Sequence, residues 1–163
     1  ALKPFRAEPA ALLISNVRLV SMTPGAPEAQ AGQAVLIRNG VIEAVGPAGT
    51  LAAPEGARRI DGGGRTLMPG LIDAHVHIWD EAELAGFLAH GVTGVRNMSG
   101  MSFHLLLIAR IEAGRILGPD MITTGPILNS PGQNAQKIHQ LVMTDAEARA
   151  AIARQYEAGY RLI

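Results

Sequence analysis

Apolar positions in the first 69 residues fall in short runs separated by Gly and Pro, a rhythm that predicts the strands of a small antiparallel sheet or sandwich. Residues 12–20 are rich in branched side chains and read as one strand. Val35-Leu36-Ile37-Arg38 and Val41-Ile42-Glu43-Ala44-Val45 flank Asn39-Gly40, and Asn-Gly between two apolar runs predicts a tight hairpin because both turn residues need positive φ. Residues 57–61 and 65–68 read as two further short strands joined by Gly62-Gly63-Gly64. That triplet is not a dinucleotide loop, since no helix follows and Pro69 interrupts.

From Gly70 the pattern changes to alternating strands and helices: strands over 71–77, 91–97 and 120–127, helices over 81–90, 103–113 and 144–158, and the opening of a fourth strand over 160–163. Such alternation predicts an α/β architecture of parallel βαβ units with right-handed crossovers. The third helix carries its own punctuation, with Thr144 as N-cap, Glu147 three residues on as its capping-box partner, and Gly159 as the stop.

Composition narrows the chemistry. Lys and Arg (14) balance Asp and Glu (14), so no basic surplus points to nucleic acid or an anionic membrane. No run approaches the roughly 20 apolar residues of a membrane span, and the chain reads as soluble. It begins at Ala1 without a signal-type apolar core, so a cytoplasmic location and a periplasmic one after leader removal are both open. The absence of cysteine excludes disulfides, thiolate zinc sites and a cysteine nucleophile, so any metal must be held by His and carboxylates. No Gly-x-Ser-x-Gly, His-Glu-x-x-His or phosphate loop is present.

The most informative stretch is Met68-Pro69-Gly70-Leu71-Ile72-Asp73-Ala74-His75-Val76-His77. On a strand, His75 and His77 point to one face about 6–7 Å apart, where both rings can converge on one cation, while Ile72, Ala74 and Val76 face the other way, toward the helices. With five histidines in 163 residues, roughly 0.15 His-x-His pairs are expected by chance, so the pair alone is weak. Its setting strengthens it, because it ends the first strand of a βα series, where barrel enzymes place their active sites.

This run, the Asn39-Gly40 hairpin with Ile42 and Val45-Gly46, and Gly91-Val92-Thr93-Gly94-Val95-Arg96-Asn97 together resemble the amidohydrolase superfamily, metal-dependent hydrolases related to urease, dihydroorotase, imidazolonepropionase and metallo-carboxypeptidases. The resemblance implies the N-terminal part of a (β/α)8 TIM barrel (residues 70–163) preceded by a β-sandwich domain (residues 1–69). It implies that His75 and His77 bind a divalent metal, zinc by preference, as one or two ions per chain, and that further ligands lie on later strands: often a carboxylated lysine of a binuclear centre, two histidines and an aspartate. Residues 70–163 fall well short of the roughly 200 or more of a full barrel, so the chain is expected to be truncated at strand four, with the remainder of the barrel after Ile163 as its partner and a modified lysine following Leu162-Ile163. A homo-oligomer is the expected assembly.

Three other residues are candidates. Asp73 shares the histidine face in this reading and would orient an imidazole through its second nitrogen, or else bond to backbone. His139, in the long segment from Leu128 to Gln140 after strand three, is a candidate substrate contact. Arg96 would bind a substrate carboxylate, or else brace neighbouring strands. Asn97 stands where the family often has aspartate. His90 and His104 read as helix-end residues with capping roles, and Asn97-Met98-Ser99 reads as an accidental glycosylation sequon. The activity implied is hydrolysis of an amide C–N bond, with a small-molecule N-acyl or peptidyl amino acid as substrate. A cyclic amide is the alternative, and a non-catalytic binding relic of the same fold is the rival of another class.

Overall fold

The computed structural model describes residues 11–163, and the chain divides into two compact units between Pro69 and Gly70. In the first unit, β1 (Ala11–Leu19), β2 (Gln30–Arg38) and β3 (Val41–Pro47) form an antiparallel meander, and β4 (Arg58–Asp61) and β5 (Thr66–Leu67) both pair parallel to β1. Asn39 (φ 50°) and Gly40 (φ 77°) make the tight turn between β2 and β3, the backbone that only such residues adopt at low cost. Leu13, Ala34 and Leu36 are buried on one face under Leu51 and Ala53 of the segment following β3. The strands of this unit thus form one mixed five-stranded sheet. The strands past residue 57 run parallel to β1, a direction that the apolar pattern does not encode because it reports faces only.

The second unit is built on a parallel sheet in the order β6 (Leu71–Val76), β7 (Val92–Asn97), β8 (Asp120–Thr123), with α1 (Glu83–Ala89) and α2 (Ser102–Glu112) as the crossovers. Parallel strands that neighbour one another in sequence order, joined by crossover helices, are the arrangement expected of the start of a barrel. One apolar core joins sheet and helices: Val76, Ile78, Leu84, Val95 and Met121 are buried, with Phe87, Ile108 and Ile111 packed against them. α1 is regular from Glu83 rather than Glu81: the preceding residues form tighter i→i+3 turns, Glu83 N to Asp80 O (3.2 Å) and Leu84 N to Glu81 O (3.2 Å), which Asp80 Oδ1 (accepting from Ala82 N, 2.7 Å) and Glu83 Oε1 (accepting from Asp80 N, 3.1 Å) brace. Glu81 is instead paired with Arg110 of α2.

The third strand is shorter than its apolar run. β8 stops at Thr123, Pro126 cannot donate to a ladder, and the chain resumes as β9 (Leu128–Asn129), which pairs parallel with β10 (Gln140–Leu141). The segment over 130–139 is therefore closed at its base. α3 (Asp145–Glu157) has Thr144 as its N-cap, with Oγ1 accepting from Glu147 N (3.2 Å); the Glu147 carboxylate reaches Met143 N (2.6 Å), one residue beyond the capping-box position. Of residues 160–163, Leu162 alone makes a bridge, parallel to Thr124.

Candidate functional site

The carboxyl ends of β6, β7 and β8 meet through their backbones: Met98 N donates to Val76 O (2.8 Å) and Thr124 N to Asn97 O (2.9 Å). Past these ends the loops crowd together, and at Gly100 an added Cβ would stand 1.7 Å from the Thr124 carbonyl oxygen, so no side chain fits there.

His75 and His77 present exposed rings whose centroids are 5.2 Å apart at 66°. His77 Nδ1 lies 2.8 Å from Ser99 Oγ. In the tautomer that donates from Nδ1, Nε2 carries the free lone pair that a cation requires, the usual arrangement of a metal-binding histidine. The exposed Trp79 ring stacks at 20° to His77, centroids 6.4 Å apart.

The route by which the two rings reach one side differs from simple alternation. Asp73 lies opposite Val95 and Val76 opposite Asn97, so three residues of β6 span two of β7. This bulge reverses the facing of the strand. Before it, Ile72 is 77% exposed and Gly94 on β7 points its open side at Ile72; after it, Val76 and Ile78 enter the core. Ile72 and Ala74 therefore do not face the helices, and Asp73 does not share the face of His75 and His77. The Asp73 carboxylate accepts from His75 N (3.1 Å), so it pins the bulged backbone rather than an imidazole.

Behind the histidines lies a buried polar network. Asn97, with no exposed surface, accepts from Ile78 N at Oδ1 (2.9 Å), and the two hydrogens of Nδ2 are shared among Thr123 Oγ1 (2.9 Å), Ser99 O (3.3 Å) and His104 Nδ1 (3.3 Å). His104, also without exposed surface, accepts from Met101 N at Nδ1 (2.9 Å), so its proton sits on Nε2, which donates to Ile78 O (2.7 Å). Burial pushes the His104 imidazole below its ordinary pKa, opposed in part by the bond to the Ile78 carbonyl, so it is held neutral. His104 thus caps α2, as a residue near a helix start does, but also joins α2 to the end of β6. Ser99, and the central position of Asn97 and His104, were not legible from residue type. The signal that points to them is a histidine and an asparagine at positions where the pattern around them is buried and apolar, which requires that their polar atoms be satisfied.

Arg96 donates from Nε to Ala74 O (2.6 Å) and so braces β7 to β6 at the bulge, leaving its terminal nitrogens free of protein partners among the described residues. His139 is half-buried, and its Nδ1 accepts from Asn129 Nδ2 (3.1 Å) and Gln136 N (3.2 Å), leaving Nε2 as the donor. His90 Nδ1 meets Gly86 O (2.8 Å) at the end of α1. Among the described residues no three His, Cys, Asp or Glu side chains gather as a metal cluster, so His75 and His77 would supply two of the three or four protein donors that a zinc ion takes.

No protein-family model matches the chain. An adenine deaminase from Mesorhizobium japonicum is 41% identical over 71 residues, 44% of this chain and 11% of that protein. A dihydroorotase from a Geobacter species is 45% identical over 69 residues, 42% of this chain and 15% of that protein. In structure, a Bifidobacterium longum protein assigned as a prolidase matches at a TM-score of 0.79 with 26% identity, over 92% of this chain and 39% of that one. A prolidase complexed with N-methylphosphonate-L-proline matches at 0.74 with 20% identity, over 92% of this chain and 45% of that one. The chain thus spans 11–15% of these curated relatives and under half of these solved structures. The structural neighbours are amidohydrolase-fold proteins and the relatives are hydrolases acting on C–N bonds, in agreement with the amidohydrolase superfamily that the sequence resembles. No helix among the described residues is long and apolar enough to cross a membrane.

Proposed function

We propose that this chain carries the first two metal ligands, His75 and His77, of a metal-dependent hydrolase that cleaves a C–N bond. The observation that carries the reading is the His77 ring, tied at Nδ1 to Ser99 Oγ and standing 5.2 Å from the His75 ring, so that two imidazoles are offered together at the carboxyl end of the sheet. A divalent cation there, zinc by its preference for imidazole, supplies a Lewis acid that polarises a scissile carbonyl and acidifies water. The remaining donors, for one ion or two, must come from outside the pair. Asp73 sets the bulge that brings the rings round, His139 offers Nε2–H to a substrate from the closed segment after β9, and the free terminal nitrogens of Arg96 offer a site for a carboxylate.

An N-acyl or peptidyl amino acid is the preferred substrate class, supported by the prolidases among the structural neighbours, one of them bound to a phosphonate analogue built on proline. A cyclic amide is the second reading, favoured by the dihydroorotase among the relatives. The experiment is a hydrolysis assay of zinc-loaded protein against N-acyl amino acids, Xaa-Pro dipeptides and dihydroorotate. Turnover of the first two sets that disappears in His77→Ala supports the preferred class, turnover of dihydroorotate alone supports the second, and turnover unchanged by chelator or by His77→Ala refutes both.

A further inference from the structure

His77 lies one residue beyond the end of β6, where the ladder no longer holds the backbone. Its preceding neighbour is still fixed, since Val76 O accepts from Met98 N (2.8 Å). Its following neighbour is gripped in an unusual way. Ile78 is fully buried, and both its polar backbone atoms are bound by side chains: its N–H donates to Asn97 Oδ1 (2.9 Å), and its carbonyl accepts from His104 Nε2 (2.7 Å). The two gripping side chains come from different elements, β7 and α2, and are bonded to each other through Asn97 Nδ2 and His104 Nδ1 (3.3 Å). Packing of the Ile78 side chain into the core would bury it without this arrangement. Nor does the arrangement replace a missing ladder bond at random, because it closes on the one residue that sets the direction in which the chain leaves His77. A site of this kind works only when its groups are held within about 0.5 Å and 10–20°.

We propose that Asn97 and His104 are positioning residues for His77: by clamping the Ile78 peptide they fix where the His77 ring stands relative to His75, and so set the affinity for a divalent cation. The inference rests on the metal-site reading given above. The clamp needs His104 neutral with its proton on Nε2, which is the state that the bond from Met101 N to Nδ1 enforces. It needs an amide at 97, because that group must accept from Ile78 N while donating to His104, and a carboxylate cannot donate. Ser99 then completes the restraint by holding the ring itself at Nδ1.

The test compares four forms of the protein: wild type, His104→Ala, His104→Gln and Leu107→Ala. Glutamine keeps a donor near the place of Nε2. Leu107 is a buried residue of the same helix, and its truncation serves as a matched loss of packing. Two readouts are taken: zinc affinity by chelator competition, and hydrogen exchange of the Ile78 amide relative to the Val95 amide in metal-free protein. His104→Ala is expected to weaken zinc binding by about 10–100-fold and to speed exchange at Ile78, with His104→Gln restoring both in large part. Leu107→Ala is expected to lower the melting temperature while leaving zinc affinity near that of wild type. Equal loss of zinc affinity in Leu107→Ala at the same fall in melting temperature would overturn the proposal, as would wild-type behaviour of His104→Ala in both readouts. Should wild type bind no zinc, the metal-site reading fails and Ile78 exchange alone decides the clamp: faster in His104→Ala and restored in His104→Gln supports it, and no difference refutes it.

Discussion

Replacing Asn97 by aspartate changes one atom in a site with no room for adjustment, and the outcome follows from the bonds that atom makes. The new carboxylate still accepts from Ile78 N through Oδ1, so that bond stays. The two hydrogens of Nδ2, shared among Thr123 Oγ1, Ser99 O and His104 Nδ1, are lost. Thr123 already donates to Thr124 O (3.0 Å), and turning its hydroxyl toward the carboxylate would strand that carbonyl. Ser99 O and the His104 Nδ1 lone pair would then face an anionic oxygen. One buried acceptor, Ser99 O, is left without a donor, which costs about 1–3 kcal/mol; His104 Nδ1 keeps its bond from Met101 N (2.9 Å), and the buried charge facing both groups adds to the cost. The expected loss at pH 8 is about 2–5 kcal/mol. The pH dependence has a definite sign. A carboxylate beside His104 raises its folded pKa, opposing the burial that now lowers it. Protonated His104 then pairs with the introduced carboxylate, so Asn97→Asp should recover part of the lost stability as pH falls from 8 toward 6. Urea unfolding followed by circular dichroism at pH 8 and pH 6 measures both effects. A deficit under about 1 kcal/mol at pH 8, or one that grows on acidification, would refute the account of the network.

Three further expectations are independent of that one. In the wild-type protein His104 has a folded pKa below its unfolded value of 6.5, so the unfolded chain binds more protons in between; its contribution is complete above pH 6.5 and declines as pH falls below it, and urea midpoints from pH 8 to 5 should show this acid-side loss flattened in His104→Gln. Gly100→Ala places a Cβ 1.7 Å from the Thr124 carbonyl and should lower stability by more than about 2 kcal/mol, measured by thermal unfolding, whereas a change under about 0.5 kcal/mol would mean that the two loops move apart freely. His139→Ala should leave zinc content unchanged and lower kcat/KM by about tenfold or more, the loss of one good polar contact; loss of zinc would make it a ligand, and unchanged kinetics a residue that only closes its loop.

How much was legible in the sequence differs between elements for physical reasons. The Asn39-Gly40 hairpin was readable because two adjacent positive φ angles demand those residues, and Thr144 marked the start of α3 because a hydroxyl before a helix has one common use. The βα alternation after Gly70 was readable because its period changes from two to near four. The bulge in β6 was not, since an inserted residue leaves no mark in an apolar pattern, and the faces assigned to Ile72, Asp73 and Ala74 failed with it. The direction of β4 was hidden for a similar reason, because parallel and antiparallel pairing bury the same side chains. The two histidines stood out by spacing, but the residues that hold His77 did not. Ser99, Asn97 and His104 act through bonds between elements, and only the fold brings a strand end, a loop and a helix start to one place.

The central claim is that His75 and His77 hold one cation together, and X-ray absorption of the zinc-loaded protein tests it most directly. The account expects imidazole nitrogens at about 2.0–2.1 Å with their outer-ring scattering, and one imidazole fewer in each of His75→Ala and His77→Ala. A zinc environment without imidazole scattering, or one that neither substitution alters, would contradict it.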